Sequence, residues 1–210
     1  CNSLTSIVLP TSADPEMTYS IGNNAFAWSG LTEIVIPKAV GMLGNNVFNR
    51  CTSLATVTFE AGANPKCGTS LFSYTAISGV TLPEGLDTIS NCMFQGCGNL
   101  TSVTIPTTVK TIGLSAFDSC KSLAKITFAT YEKDGKYYSN VNSIGNNAFS
   151  KTAVTSFTFP TLEGTNTLKI GDSIFSSCMK LQTVGLSKSV AEIGNAFANC
   201  YSISNFTVEE

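Results

Sequence analysis

Apolar and polar residues alternate along this chain in one recurring pattern, L-x-x-I-x-I-P. It appears nine times, as LTSIVLP (4–10), LTEIVIP (31–37), LATVTFE (54–60), ISGVTLP (77–83), LTSVTIP (100–106), LAKITFA (123–129), VTSFTFP (154–160), LQTVGLS (181–187) and ISNFTVE (203–209). The last two apolar positions of each copy alternate with polar ones, as Val103 and Ile105 do with Ser102 and Thr104. That period of two predicts a strand with one buried face. Between the copies runs a second module, IGNNAF at 21–26 and 144–149, with the variants LGNNVF, CGTSLF, ISNCMF, IGLSAF, IGDSIF and IGNAF. Its phenylalanines are Phe26, Phe48, Phe72, Phe94, Phe117, Phe149, Phe175 and Phe197, spaced 22, 24, 22, 23, 32, 26 and 22 residues apart. A period in the twenties with one short strand per unit predicts a solenoid, because no unit buries its apolar face alone and stacking must supply the core. Proline after the strand, as at Pro10, Pro37, Pro83, Pro106 and Pro160, has no N–H to donate and ends each ladder. The Ile-Gly pairs are expected to turn the chain on the far side through a glycine of positive φ, with the following Phe filling the interior.

These residues resemble the BspA-like leucine-rich repeat family, whose units read approximately C-x-x-L-x-x-I-x-I-P, a short spacer, then I-G-x-x-A-F. The resemblance covers essentially the whole chain. It implies a right-handed leucine-rich repeat solenoid with a parallel β-sheet on one face and short turns or short strands on the other. Residues 1–210 are then one domain of about nine repeats, expected to be a piece of a longer protein. The resemblance further implies a bacterial or protist cell-surface protein that attaches to host matrix proteins or to other cells.

Composition narrows the chemistry. Charged residues make up 12% of the chain, against about 25% in ordinary domains. The 12 basic and 14 acidic side chains leave a net charge of -2, which disfavours nucleic acid and anionic membrane as partners. There is no histidine, so Ser-His and Cys-His dyads and most catalytic zinc sites are excluded. No enzymatic activity, metal or cofactor is expected. Glu60 and Glu84, in adjacent repeats, are the one carboxylate pair that glycosidase chemistry would use, and a solvated edge is the expectation for them. Six of the eight cysteines, Cys1, Cys51, Cys97, Cys120, Cys178 and Cys200, stand three residues before the template Leu or Ile. The expectation is that they pack into the core as small apolar thiols. Bridging is geometrically open to consecutive repeats alone, Cys97 with Cys120 or Cys178 with Cys200, since strands stack about 4.8 Å apart and a disulfide spans about 4.4–6.8 Å between Cα atoms.

Two surfaces are candidates for binding. Thr81, Thr104, Thr127 and Thr158 stand at outward positions of successive strands, on the sheet that commonly receives a ligand in such solenoids. The largest departure from period, the 32-residue interval ending at Phe149, contains Tyr131, Lys133, Lys136, Tyr137 and Tyr138 around an Asp-Gly pair that predicts a two-residue hairpin. Insertions in solenoids form surface loops and tyrosine is favoured at interface hot spots. Residues 160–169 form a second, blander insertion. The resulting expectation is a monomeric, extracellular or cell-surface module that binds a protein partner. The competing readings are a stalk projecting other domains and a carbohydrate-binding module.

Overall fold

A strand with every second residue apolar buries one face only if something covers it, and here each turn of chain is covered by the next. The computed structural model describes residues 3–12, 14 and 16–208. Among the described residues the chain forms only strands, turns and loops, with no helix. The strands are β1 (Tyr19–Ile21), β2 (Glu33–Ile36), β3 (Val40–Leu43), β4 (Thr56–Phe59), β5 (Lys66–Cys67), β6 (Gly79–Val80), β7 (Thr88–Ile89), β8 (Ser102–Ile105), β9 (Thr111–Ile112), β10 (Lys125–Phe128), β11 (Tyr131–Lys133), β12 (Lys136–Tyr138), β13 (Ser143–Ile144), β14 (Ser156–Thr158), β15 (Lys169–Ile170), β16 (Thr183–Leu186) and β17 (Asn205–Val208).

The template copies pair in parallel as β2-β4-β6, β8-β10 and β14-β16-β17. Equivalent residues lie side by side, Val35 with Thr58, Thr104 with Thr127 and Thr158 with Gly185. The second module, read as turns or short strands, forms parallel sheets of its own, β1-β3-β5 and β7-β9-β13-β15. The result is a leucine-rich repeat solenoid of about eight turns. The first template copy, expected to be a ninth strand, forms none. One long backbone bond, Thr32 N–H to Thr5 O at 3.4 Å, joins it to the next copy, and a ladder needs a series of such bonds.

Between the sheets the eight phenylalanines stack in one column. Successive ring centroids lie 5.4–5.7 Å apart with rings within 20° of parallel. The step from Phe117 to Phe149 is 5.6 Å although 32 residues separate them, so the whole insertion is expelled from the column. Phe48, Phe72, Phe94, Phe117, Phe149 and Phe175 are fully buried.

Of the glycines in the Ile-Gly pairs, Gly194 carries the positive φ expected of them (φ 43), whereas Gly22, Gly113, Gly145 and Gly171 do not. In the other turns positive φ falls two residues before the Phe (Asn24, Asn46, Ser70, Cys92, Ser115, Asn147, Ser173), and in all eight it falls two residues after it (Trp28, Arg50, Tyr74, Gly96, Ser119, Lys151, Ser177, Asn199). At Gly44, Gly68, Gly113, Gly145 and Gly171 close contact with the preceding turn requires glycine instead. A Cβ on Gly68 would stand 2.5 Å from the backbone of Gly44, and one on Gly145 2.6 Å from the amide of Leu114. The neighbouring Asn side chains fasten each turn to the next: Asn45 N–H donates to Asn23 Oδ1 (2.7 Å), and Thr69 N–H donates to Asn45 Oδ1 (2.8 Å).

The cysteine series has a partner that its position in sequence did not reveal. Cys1 lies outside the described residues. Each of the other five thiols donates to the carbonyl of the Phe one turn back: Cys51 to Phe26 O (3.0 Å), Cys97 to Phe72 O (3.1 Å), Cys120 to Phe94 O (3.1 Å), Cys178 to Phe149 O (3.2 Å) and Cys200 to Phe175 O (2.8 Å). In the turns without cysteine a hydroxyl stands at the same place, three residues after Phe. Thr75 and Thr152 donate to the carbonyls of Phe72 and Phe149 (both 2.9 Å), and Ser29, Thr75 and Thr152 each meet the cysteine of the next turn. The seven described cysteines are free thiols, and Cys51, Cys97, Cys120 and Cys178 are buried.

Candidate binding groove

The template sheet is broken beside the insertion. At most junctions the first backbone bond joins the residue after the template Leu or Ile to its equivalent one turn back, as Ala55 N–H to Thr32 O, Ala124 N–H to Thr101 O and Gln182 N–H to Thr155 O. Between the turns of β10 and β14 it runs instead from Ala153 N–H to Leu123 O (3.0 Å), and the two strands do not pair. The divergence coincides with ring meeting ring across the junction. Phe59 and Phe206 occupy the same inward positions on β4 and β17 as Phe128 and Phe157 do on β10 and β14, but lie beside aliphatic Ile36 and Val184, whereas Phe128 meets Phe157 edge to face at 5.8 Å. Such a pair needs more room than strands about 4.8 Å apart provide.

A groove of about 460 Å³ opens there, lined by Lys125, Ile126, Thr127, Phe128 and Thr130 on one side, Ser156, Phe157 and Thr158 on the other, and Tyr137 from the hairpin. Ile126 and Phe128 are half-buried, whereas Val103 and Ile105, their equivalents on β8, are fully covered. The break therefore bares part of the core. Thr127, Thr158 and Tyr137, expected on sequence grounds to belong to two separate surfaces, line one concavity. Thr104 lies next to Thr127 on β8, while Thr81 is exposed two turns from the groove, just beyond the end of β6.

The hairpin forms as Asp-Gly predicts. β11 and β12 pair antiparallel with Tyr131 opposite Tyr138, and both turn residues, Asp134 (φ 54) and Gly135 (φ 72), are left-handed. Its tyrosines divide by face. Tyr137 is 64% exposed, but Tyr138 is buried and packs on Tyr131 with centroids 6.0 Å apart, so Tyr138 is a structural residue and not an open contact. Tyr131 and Lys133 turn away from the groove to Glu163 of the second insertion. The Tyr131 hydroxyl donates to Glu163 Oε2 (3.1 Å) and the Lys133 ammonium to Oε1, which holds the Glu163 carboxyl below its usual pKa. Ser139 N–H to Thr161 O (2.9 Å) completes the clasp. The two insertions thus brace each other over a polar cavity of about 440 Å³ lined by Asn140, Asn142, Asn166 and Lys169 among others. Lys136 sits exposed at the hairpin tip opposite Lys133.

One further surface group escaped the sequence reading. Arg50 lies between the rings of Trp28 and Tyr74, 4.8 and 4.7 Å from their centroids. All three occupy the left-handed position two residues after Phe, and reading that column one residue per turn would have found them. Glu60 and Glu84 are engaged with different turns. Lys38 N–H donates to Glu60 Oε2 (2.8 Å) and the Thr107 hydroxyl to Glu84 Oε2 (3.4 Å).

The repeat unit described above is matched by the BspA type leucine rich repeat region, in 6 copies, over residues 19–138 and 134–210. The chain belongs to the BspA-type leucine-rich repeat family. Among solved structures, the fold of this BspA-type chain is similar to a leucine-rich repeat protein from Eubacterium ventriosum (17% identity, 90% of this chain and 69% of that one, TM-score 0.51). A leucine-rich repeat protein from Bacteroides ovatus is also similar (21% identity, 90% of this chain, TM-score 0.45), and this chain spans 64% of its length. Among curated proteins none matches. No helix of the described residues is long and apolar enough to cross a membrane.

Proposed function

We propose that this BspA-type module is a non-catalytic binding or adhesion module, displayed at the cell surface or secreted, that holds a protein partner in the groove between β10 and β14. The observation that carries it is the convergence of Tyr137, Thr127 and Thr158 on a concavity where β10 and β14 do not pair and apolar core is partly bared. An exposed aromatic beside a half-desolvated apolar floor is the composition of an interface hot spot. The wall is held rigid by the clasp at Glu163, which lowers the ordering cost of binding. Membership of the BspA-type family favours a host matrix or cell-surface protein as the partner, and the module acts as a monomer.

The test is solid-phase binding of the chain to a panel of extracellular-matrix proteins, with a glycan array in parallel. Binding to a protein on the panel is expected, and Tyr137→Ala weakens it by roughly 2 kcal/mol or more with an unchanged circular dichroism spectrum. Absence of any protein ligand would assign the segment to a stalk, and a signal confined to the glycan array would make it a carbohydrate-binding module.

A further inference from the structure

We infer that the groove takes an extended segment of its partner as an added strand, parallel to β10 and β14 and lying between them. This rests on the groove being the contact surface proposed above. In a parallel ladder the residues of a strand turn their backbone groups alternately to one neighbour and to the other. On β10, Lys125 N–H reaches Thr101 O (3.4 Å), and Ala129 N–H, just past the strand, reaches Ile105 O (2.9 Å), so Ile126 and Phe128 direct their N–H and C=O away from β8 and toward β14. Beside β14, Thr155 O accepts from Gln182 N–H (2.8 Å) and Phe159 N–H donates to Gly185 O (2.9 Å), so Ser156 and Thr158 direct theirs toward β10. Because β10 and β14 do not pair, two rows of strand donors and acceptors face each other across the groove.

The same lining states the chemistry of the occupant. A four-residue strand such as β10 is about 13 Å long, and the cavity of about 460 Å³ falls within the range of sites that enclose a ligand. The half-buried Ile126 and Phe128 form the floor, which calls for an apolar side chain at alternate positions of the added strand. Lys125 is the one charged residue of the lining, at the N-terminal end of β10, and favours a carboxylate at the N-terminal end of the guest. The occupant is therefore a peptide segment of alternating apolar and small polar residues led by an acidic one.

The probe is a synthetic peptide copying residues 101–106 with one aspartate added at its N-terminus, since the strand of that segment already pairs with β10 on the other edge. Hydrogen exchange on the chain in saturating peptide is expected to slow at the amides of Ile126, Phe128, Ser156 and Thr158 and to stay unchanged at Ile105. N-methylation of alternate peptide amides is expected to lower affinity about tenfold or more through the lost backbone bonds. Thr158→Pro removes one donor on the groove side while sparing the bonds to β16, and is expected to weaken the peptide about tenfold with its circular dichroism spectrum intact. No protection at millimolar peptide, or equal binding by the N-methylated peptide, overturns strand addition. If Tyr137→Ala abolishes matrix-protein binding while the peptide gives no protection, the groove stands as the contact surface and strand addition falls. Protection by the peptide with matrix-protein binding untouched by Tyr137→Ala supports strand addition and removes the hot-spot reading.

Discussion

The position three residues after each Phe shows how one site accepts two chemistries. Cysteine and the hydroxyls of Thr75 and Thr152 place a donor on a Phe carbonyl, and where a hydroxyl residue, Ser29 included, precedes a thiol the two also meet each other. Cys97 is buried, donates to Phe72 O and touches Thr75, so Cys97→Ala removes packing volume and one hydrogen bond. A loss of about 1–2 kcal/mol is expected, read from urea denaturation against the parent chain. Burial pushes the Cys97 thiol up to about 11 and raises that of Cys120. A thiol raised in the folded state stabilises fully below its ordinary pKa of 9, and that contribution is lost as pH climbs through about 11. Stability is therefore expected to fall across this alkaline window, and to fall less in Cys97→Ser. Equal slopes in the two proteins would show that the thiol does not contribute.

At the scale of the element, the turns that follow β3, β5, β9, β13 and β15 depend on the absence of a side chain at Gly44, Gly68, Gly113, Gly145 and Gly171. Gly68 meets backbone atoms of Gly44 at distances no Cβ tolerates, and backbone cannot move aside as a flexible side chain can. Gly68→Ala is expected to cost about 2 kcal/mol or more by strain, whereas Gly22→Ala, with nothing within 4 Å of the added Cβ, is expected to change little. Thermal unfolding of the pair checks the contrast. The hairpin of β11 and β12 shows the opposite economy. Its turn was legible in Asp134-Gly135, yet the burial of Tyr138 was not, because which face of a hairpin is covered depends on what lies beneath it.

For the whole molecule, the column of phenylalanines makes stability a nearest-neighbour property. Phe117 stacks on Phe94 at 5.4 Å and on Phe149 at 5.6 Å and is fully buried, while Phe26 and Phe197 are half-buried. Phe117→Ala is expected to cost about 3–5 kcal/mol, and Phe197→Ala less, by calorimetry. Equal costs would mean that the column does not act through its stacked neighbours.

The sequence by itself determined the solenoid, the register of its units and the identity of its core. Repetition prints the same burial instruction at every turn, and a strand period of two leaves no second face to choose. It also marked where the pattern breaks, at the 32-residue interval. Tertiary structure alone decided what the break does. Phe128 and Phe157 read in sequence as ordinary apolar positions, and only their packing in three dimensions shows that ring meets ring where β10 and β14 fail to pair. The same holds for Glu163. It lies in the second, blander insertion, 30 residues from Lys133, and its partnership with Tyr131 and Lys133 exists because two loops leave the solenoid on neighbouring turns. Local pattern fixes what each unit must bury, whereas contacts between departures from the pattern depend on how far the fold carries each one from its own turn.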